Sequence, residues 1–198
     1  MTELLKQNIA KHISLSDKEM ESFCNLFKKK TVKKKNFLLR EGEVCKFEGF
    51  VTKGTFRLYH IDKNGAEQIL YFAIENWWIT DIDSFTNEKP SQLFIEAIED
   101  STVVSISRDN LEKMFSSSNR FERLGRLVII EWLVQQCEWE NARVRLSPKE
   151  RFLYFVKKQP QLVKRVPQKQ LASFLSIKPE TFSRYKHFIT ATDNLEIQ

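Results

Sequence analysis

The stretch Gln168-Lys169-Gln170-Leu171-Ala172-Ser173-Phe174-Leu175-Ser176-Ile177-Lys178-Pro179-Glu180-Thr181-Phe182-Ser183-Arg184 reads as two short helices joined by a three-residue turn. Leu171, Ala172 and Leu175 share the inward face of the first helix. Ala172 is small where two helices must cross closely. Ile177 plugs the turn, Pro179 opens the second helix at its first position, and Phe182 packs that helix inward. Glu180, Ser183 and Arg184 are left pointing outward, with Glu180 and Arg184 one turn apart on one face. The pattern is a helix-turn-helix, whose second helix reads base edges with residues near its N-terminus. Arginine can bond guanine O6 and N7 together, and glutamate can accept from cytosine N4. An ordinary α-hairpin with an i,i+4 ion pair would show the same residues, so charge has to separate the two.

Charge favours nucleic acid. The 198 residues carry a net +6, unevenly placed. Residues 1–142 hold 20 basic and 22 acidic side chains, whereas residues 143–198 hold 12 basic and 4 acidic. A basic module on a near-neutral body suits a phosphate backbone, because each neutralised phosphate releases counterions. A second basic cluster, Lys28 to Lys30 with Lys33 to Lys35, is read as a solvated turn and edge strand, where lysines discourage edge-to-edge pairing.

Working outward, Ser147-Pro148-Lys149-Glu150 starts a helix that runs to Lys158 and stops before Pro160, with Ser147 at the N-cap and Glu150 at N3. Val163 to Val166 is expected to be a short extended link. Upstream, a long helix covers about Arg120 to Ala142. Leu127, Val128, Ile129 and Ile130 point from it in nearly all directions, more than one buried face needs. A second copy of the same helix is the economical cover, and Leu124, Leu127, Ile130, Leu133, Val134 and Cys137 are the expected dimer interface.

From Thr31 to Ile106 the pattern changes to short strands, with a turn at Glu41-Gly42-Glu43 and another at Lys53-Gly54. Phe56 to Ile61 and Glu67 to Phe72 flank Asn64-Gly65, a hairpin signal because both turn residues tolerate positive φ. Many short strands without alternating helices indicate an antiparallel sandwich, barrel or roll. Before them, Ser16 with Glu19 makes a capping box and Leu15 with Met20 a hydrophobic staple, opening a helix to about Phe27. Ser107 caps the helix that follows the strands.

Other chemistry is excluded by composition. No apolar run approaches the ~18 residues that span a bilayer, and Met1 to Lys6 lacks a signal-peptide pattern, so the expected location is cytoplasmic, away from membranes. Cys24, Cys45 and Cys137 form neither a metal spacing nor a disulfide framework. His12, His60 and His187 have no ligand set around them, and there is no phosphate loop or nucleophile elbow. No cofactor and no enzyme activity are expected.

The Glu180-Thr181-Phe182-Ser183-Arg184 run resembles the Glu-Thr-x-x-Arg pattern in the recognition helix of the CRP/FNR family of bacterial transcription regulators. The order of strands, long helix and basic module agrees over about residues 10–190. The resemblance implies an α+β chain in three parts: an antiparallel β-roll of the cyclic-nucleotide-binding kind (double-stranded β-helix, jelly-roll-like) over 1–115, a dimerisation helix over 116–145, and a helix-turn-helix domain over 146–198. Gly42 and Gly54 fall at the roll's turn glycines. It implies a homodimer on a two-fold promoter site, with RNA polymerase and a small-molecule effector as further partners. Base reading is carried over to Glu180 and Arg184, and support or phosphate contact to Thr181 and Ser183. Lys164, Arg165, Lys169 and Lys178 lie on the approach and are expected at phosphates.

The chain departs from the family in two places. The family's nucleotide cassette has Gly-Glu followed by an arginine that pairs the cyclic phosphate. Here Thr80-Asp81 replaces Gly-Glu and no arginine follows before Leu93. Lys89 cannot supply the bidentate fork, and Asp81 and Asp83, expected to be solvated loop acids, repel phosphate. Cyclic AMP is therefore not the expected ligand, and a pocket would be lined by Phe72, Trp77, Trp78, Thr80, Asp81 and Phe85. The second departure is Ser176 in the turn where glycine is usual, together with too few residues before Gln198 for a full wing. The alternative is a ligand-sensing or protein-interaction module with a degenerate DNA-binding domain.

Overall fold

The computed structural model describes residues 2–188. It opens with two helices, α1 (Glu3–Ala10) and α2 (Asp17–Cys24). Sequence reading missed α1, which has no side-chain cap and is held by Leu5 and Ile9, both fully buried in the first core. The Ser16–Glu19 capping box of α2 is present. That helix ends at Cys24, short of the expected Phe27, because the chain turns there into β1 (Lys28–Val32).

Seven further strands follow: β2 (Phe37–Leu39), β3 (Phe47–Lys53), β4 (Phe56–Ile61), β5 (Glu67–Ala73), β6 (Trp78–Ile79), β7 (Phe94–Ala97) and β8 (Ser101–Ser107). They form two antiparallel sheets, ordered β1-β8-β3-β6 and β2-β7-β4-β5. Val51, Phe56, Leu58, Ile95 and Val103 are buried in the core of this roll. The lysine-rich β1 is an edge strand, as read from the sequence. Gly42 and Gly54 take φ of +85° and +91°. At Gly54 a Cβ would also lie 2.7 Å from the Ser101 Cα, so only glycine fits. In the β4–β5 hairpin only Gly65 has positive φ. Asn64 instead donates its N–H to the Asp62 carboxylate, which also accepts from the Ala66 N–H. The loop is thus longer than a two-residue turn.

The stretch expected to be a loop after β6 contains α3 (Ile82–Asn87). Asp81 is its N-cap and is buried rather than solvated. One Asp81 oxygen accepts from the Ser84 N–H and the other from the Ser91 hydroxyl, at 3.3 and 2.6 Å. Asp83 does lie exposed, paired with Lys89 at 2.7 Å.

After the strands come α4 (Arg108–Ser117), capped by Ser107, and α5 (Asn119–Arg145), a single helix of 27 residues. Four short helices close the described chain: α6 (Pro148–Lys158), α7 (Pro160–Arg165), α8 (Gln168–Phe174) and α9 (Pro179–Tyr185). The Ser147 capping box stands at the start of α6. The extended link expected over Val163–Val166 is instead mostly helix. Pro160 occupies the first turn of α7, where its missing N–H costs nothing, and only Val166 is extended. Phe152, Phe155, Leu171 and Phe182 are the fully buried centre of a second core.

The two cores meet on the sheet β2-β7-β4-β5. Along β4, Phe56 and Leu58 belong to the roll core, while Tyr59 belongs to the second core with Ile69, Phe72 and Ile74. Both faces of this sheet are therefore covered, one by the roll and one by the C-terminal helices.

Candidate nucleic-acid interface and effector cleft

The helix-turn-helix forms as its pattern requires. Leu171, Ala172 and Leu175 are buried, and the Phe182 ring packs edge-on against Phe152 with centroids 5.2 Å apart. Ser176 takes φ of +53°, the left-handed conformation in which a serine side chain is strained. Its N–H donates to the Ser173 carbonyl and the Ile177 N–H to the Ala172 carbonyl, both at 3.0 Å. Arg151 braces the turn: its Nε donates to the Leu175 carbonyl and one terminal nitrogen to the Arg143 carbonyl, at 2.9 and 3.0 Å. One guanidinium thus closes the C-terminal ends of both α5 and α8. Sequence reading did not single it out, since its partners are carbonyls that carry no residue signature.

On α9, Glu180, Ser183 and Arg184 are exposed and Thr181 is half-buried. No ion pair joins Glu180 to Arg184; both are exposed on the outward face, and the Arg184 guanidinium lies 5.6 Å from the centre of the Tyr185 ring. Lys164, Lys169 and Lys178 are also exposed. Arg165 is not available. Its guanidinium bonds both oxygens of Glu75 at 2.7 and 2.9 Å and one oxygen of Glu99 at 3.0 and 2.5 Å. Glu75 also accepts from the Gly54 N–H and Glu99 from the Thr55 hydroxyl, so the roll's turn pre-positions both acids. Burial pushes Glu75 up, but the bonds from Arg165 and from backbone N–H groups outweigh it and hold the carboxyl below its ordinary range. Arg165 is a clamp between α7 and the roll, and its assignment to phosphate is corrected. The wing segment, within residues 189–198, lies outside the described residues.

The docking of α8 on the roll has a second polar anchor. β5 is the outer strand of its sheet, so some of its backbone groups have no strand partner. Ser173 Oγ accepts from the Ile69 N–H at 3.2 Å and donates to the Glu67 carbonyl at 2.8 Å. A helix of the basic module thereby covers a strand edge that would otherwise stay open. Around it, Phe174 meets Phe72, Trp139 and Phe155, with centroids 5.2 to 5.6 Å apart.

The expected dimer face divides in two. Leu124 is buried against the chain's own body together with Phe121 and Ala142, so its place in an interface is corrected. Ile130, Leu133 and Val134 are about half exposed, at 46, 52 and 52%, Cys137 is exposed and Leu127 half-buried. Leu127, Ile130, Val134, Cys137, Asn141 and Val144 follow one another at alternating steps of three and four, the a/d spacing of a coiled-coil seam. The helix carries two stripes, one spent on its own roll and one left facing solvent.

The expected pocket residues do not converge. Phe72 faces Phe174 in the second core, Phe85 is buried within the roll, and Trp77 lines a shallow groove beside Trp139 and Tyr154. Asp81 is occupied as a helix cap. Trp78 and Thr80 reach a narrow cleft of about 60 Å³ between the roll and α5, whose walls include Glu48, Tyr71, Val128, Ile129 and Trp132, while Thr80 and Asp81 border a wider one of about 590 Å³ that extends to Arg143 and Arg151. The Tyr71 hydroxyl donates to the Thr80 carbonyl, and the Thr80 hydroxyl to the Phe47 carbonyl, at 3.1 and 2.8 Å. Burial pushes the Tyr71 phenol well above its ordinary range.

Comparison with known proteins agrees with this architecture. Residues 29–118 match the family model described as the cyclic nucleotide-binding domain. The structure of FixK2 from Bradyrhizobium japonicum superposes with a TM-score of 0.73 at 18% identity, covering 84% of this chain and 86% of that one. A protein from Eubacterium rectale assigned to the crp/fnr family of transcriptional regulators superposes with a TM-score of 0.66 at 15% identity, covering 90% and 85%. The fold is that of the CRP/FNR regulators. The c-di-GMP responsive global regulator CLP of Xanthomonas campestris shares it too, with a TM-score of 0.69 at 13% identity over 90% of this chain and 93% of that one. No curated protein sequence matches the chain. Among the described residues no helix is long and apolar enough to cross a membrane.

Proposed function

We propose that this chain is a DNA-binding transcription regulator rather than an enzyme, acting as a homodimer on a two-fold promoter site. The observation that carries the reading is the outward face of α9, where Glu180, Ser183 and Arg184 stand exposed on a helix-turn-helix within a segment of 12 basic and 4 acidic residues. Arg184 and Glu180 are the base readers, Thr181 and Ser183 support them, and Lys164, Lys169 and Lys178 meet phosphates. The free seam of α5 supports pairing with a second copy, which would set two recognition helices about 34 Å apart, one turn of the duplex. The division of labour is a roll over 1–115, a dimerisation helix over 116–145 and the DNA-binding module over 146–198.

The roll does not serve cyclic AMP. No arginine lines the narrow cleft beside Trp78, Arg143 and Arg151 in the wider one come from the C-terminal part rather than the roll, and Asp81, which stands where the cassette has its glutamate, is spent on Ser84 and Ser91. Contact with RNA polymerase belongs to the same reading. A gel shift with the DNA upstream of the chain's own coding sequence, run from low to high salt, tests the function. Retardation that weakens steeply with salt is expected. Absence of any such binding would leave the ligand-sensing or protein-interaction module in its place.

A further inference from the structure

The joint between α5 and the C-terminal module is two residues long. α5 ends at Arg145, and Leu146 and Ser147, both extended, lead straight into α6 at Pro148. Each residue has two soft backbone dihedrals, so the covalent chain alone leaves the angle between α5 and α6 open. Arg151, one turn into α6, reaches back across this joint. One terminal nitrogen donates to the Arg143 carbonyl at 3.0 Å and to the Leu146 carbonyl at 3.4 Å, and Nε donates to the Leu175 carbonyl at 2.9 Å. The backbone leaves two of these acceptors open. The Ser147 N–H, which would continue the α5 ladder to Arg143, bonds the Glu150 carboxylate instead. Pro179, four residues after Leu175, has no N–H to give. Carbonyls at helix C-termini carry partial negative charge, which a guanidinium complements.

We propose that Arg151 is a positioning residue that sets which half-site spacing the dimer accepts, because it locks the α5–α6 joint to the root of the recognition helix. This rests on the regulator reading. Leu175 directly precedes Ser176, whose φ of +53° makes the turn into α9, so the carbonyl that Arg151 grips lies where the direction of α9 is decided. In a dimer paired along α5, the two-fold axis applies any rotation at the joint to both copies. The separation of the two recognition helices then changes by twice the displacement of one. Other contacts do not fix this angle. The bonds of Arg165 and Ser173 reach Glu75, Glu99 and β5, none of which belongs to α5. Trp139 of α5 packs on Tyr154, Phe155 and Phe174, but apolar contact is non-directional. The Lys158–Glu138 pair between α6 and α5 is half exposed, and such surface pairs contribute little. A planar guanidinium bonded to three carbonyls fixes orientation as well as distance.

The test starts by selecting, with the full chain, its preferred two-fold site from random duplexes. Fluorescence anisotropy then compares that site with versions carrying one base pair more or one fewer at the centre, and a selected with a scrambled half-site. One base pair turns a half-site by about a tenth of a turn and shifts it by about 3.4 Å. The parent chain should therefore bind the altered sites at least about tenfold more weakly, a loss comparable with one mismatched base pair. Arg151→Lys keeps the charge without the planar fork, and Arg151→Met keeps neither. In both variants the ratio between selected and altered sites should shrink by at least about threefold, while preference for the selected half-site stays as in the parent, because the reading face of α9 is untouched. A variant that is only part-folded loses the same factor on every site, so the ratio separates positioning from stability. An unchanged ratio in either variant that folds, or loss of folding in both by circular dichroism, overturns the proposal. If the parent chain binds no two-fold site, the regulator reading falls and takes this one with it; parent binding with an unmoved ratio in the variants sinks the positioning role alone.

Discussion

At the scale of single residues, three side chains carry separable tasks. Ser176 holds φ of +53° in the turn between α8 and α9, so Ser176→Gly should relieve about 1 kcal/mol of backbone strain, read as a higher urea midpoint with an unchanged slope. Asp81 caps α3 and bonds Ser91 in a buried position. Asp81→Ala should lower stability by about 1–2 kcal/mol without conferring cyclic AMP binding, since it adds no cation. Arg184 and Lys169 are both exposed, but the first sits on the reading face of α9 and the second at the approach. Arg184→Ala should cost about 1–3 kcal/mol of discrimination between a selected and a scrambled site. Lys169→Ala should weaken both sites alike and reduce the salt slope by about one. Equal loss on both sites for Arg184→Ala would remove base reading from this helix.

For the single element, the proposed dimer turns on α5. Its buried residues, Phe121, Leu124 and Ala142, belong to a stripe that the roll and α6 already cover. Ile130 and Val134, about half exposed, belong to the other. The double variant Ile130→Asp with Val134→Asp is expected to yield a folded monomer, with helical circular dichroism retained and light scattering giving the mass of one chain. Leu124→Asp should instead unfold the roll, because it places a carboxylate in a position 3% exposed with no partner. A dimer that survives the double substitution would move the interface off this seam. Cys137 and Asn141 lie on the same stripe, where a polar a-position residue commonly sets register at some loss of stability.

At the scale of the whole molecule, the basic module is not a free appendage. The Arg165 clamp, the Ser173 anchor and the ring cluster around Phe174 fix it to the roll. Glu75, and Glu67 through its bonds from Arg57, are held below the ordinary glutamate value of 4.5. Such carboxylates contribute stability that is present above that value and lost as pH falls through their lowered range. The docked arrangement should therefore loosen in acid below about pH 4.5. Hydrogen exchange at the Ile69 amide, bonded to Ser173, is the readout, and Arg165→Ala should show the faster exchange already at pH 7. Glu48 has the opposite sign: its raised carboxyl costs stability as pH rises above 4.5, so Glu48→Gln should stabilise the chain at pH 7 and leave it unchanged at pH 4.

Features that depend on short spacing are legible in the residues alone. The helix-turn-helix, the capping boxes at Ser16 and Ser147, the Ser107 cap and the β4–β5 hairpin all rest on partners within about four residues, where backbone geometry leaves few choices. The over-wide apolar girdle of α5 was legible for the same reason, because helical period gives the angle of each side chain. Period does not say which stripe meets the body, and so Leu124 and Ile130 looked alike until the roll was in place. The remaining contacts join residues far apart along the chain. Arg165 finds Glu75 and Glu99 at separations of 90 and 66 residues, and Ser173 finds β5 more than 100 residues away. Pro160 and Asp81 were ambiguous because proline both stops a helix and starts one, and an acid before a turn is either solvated or a cap.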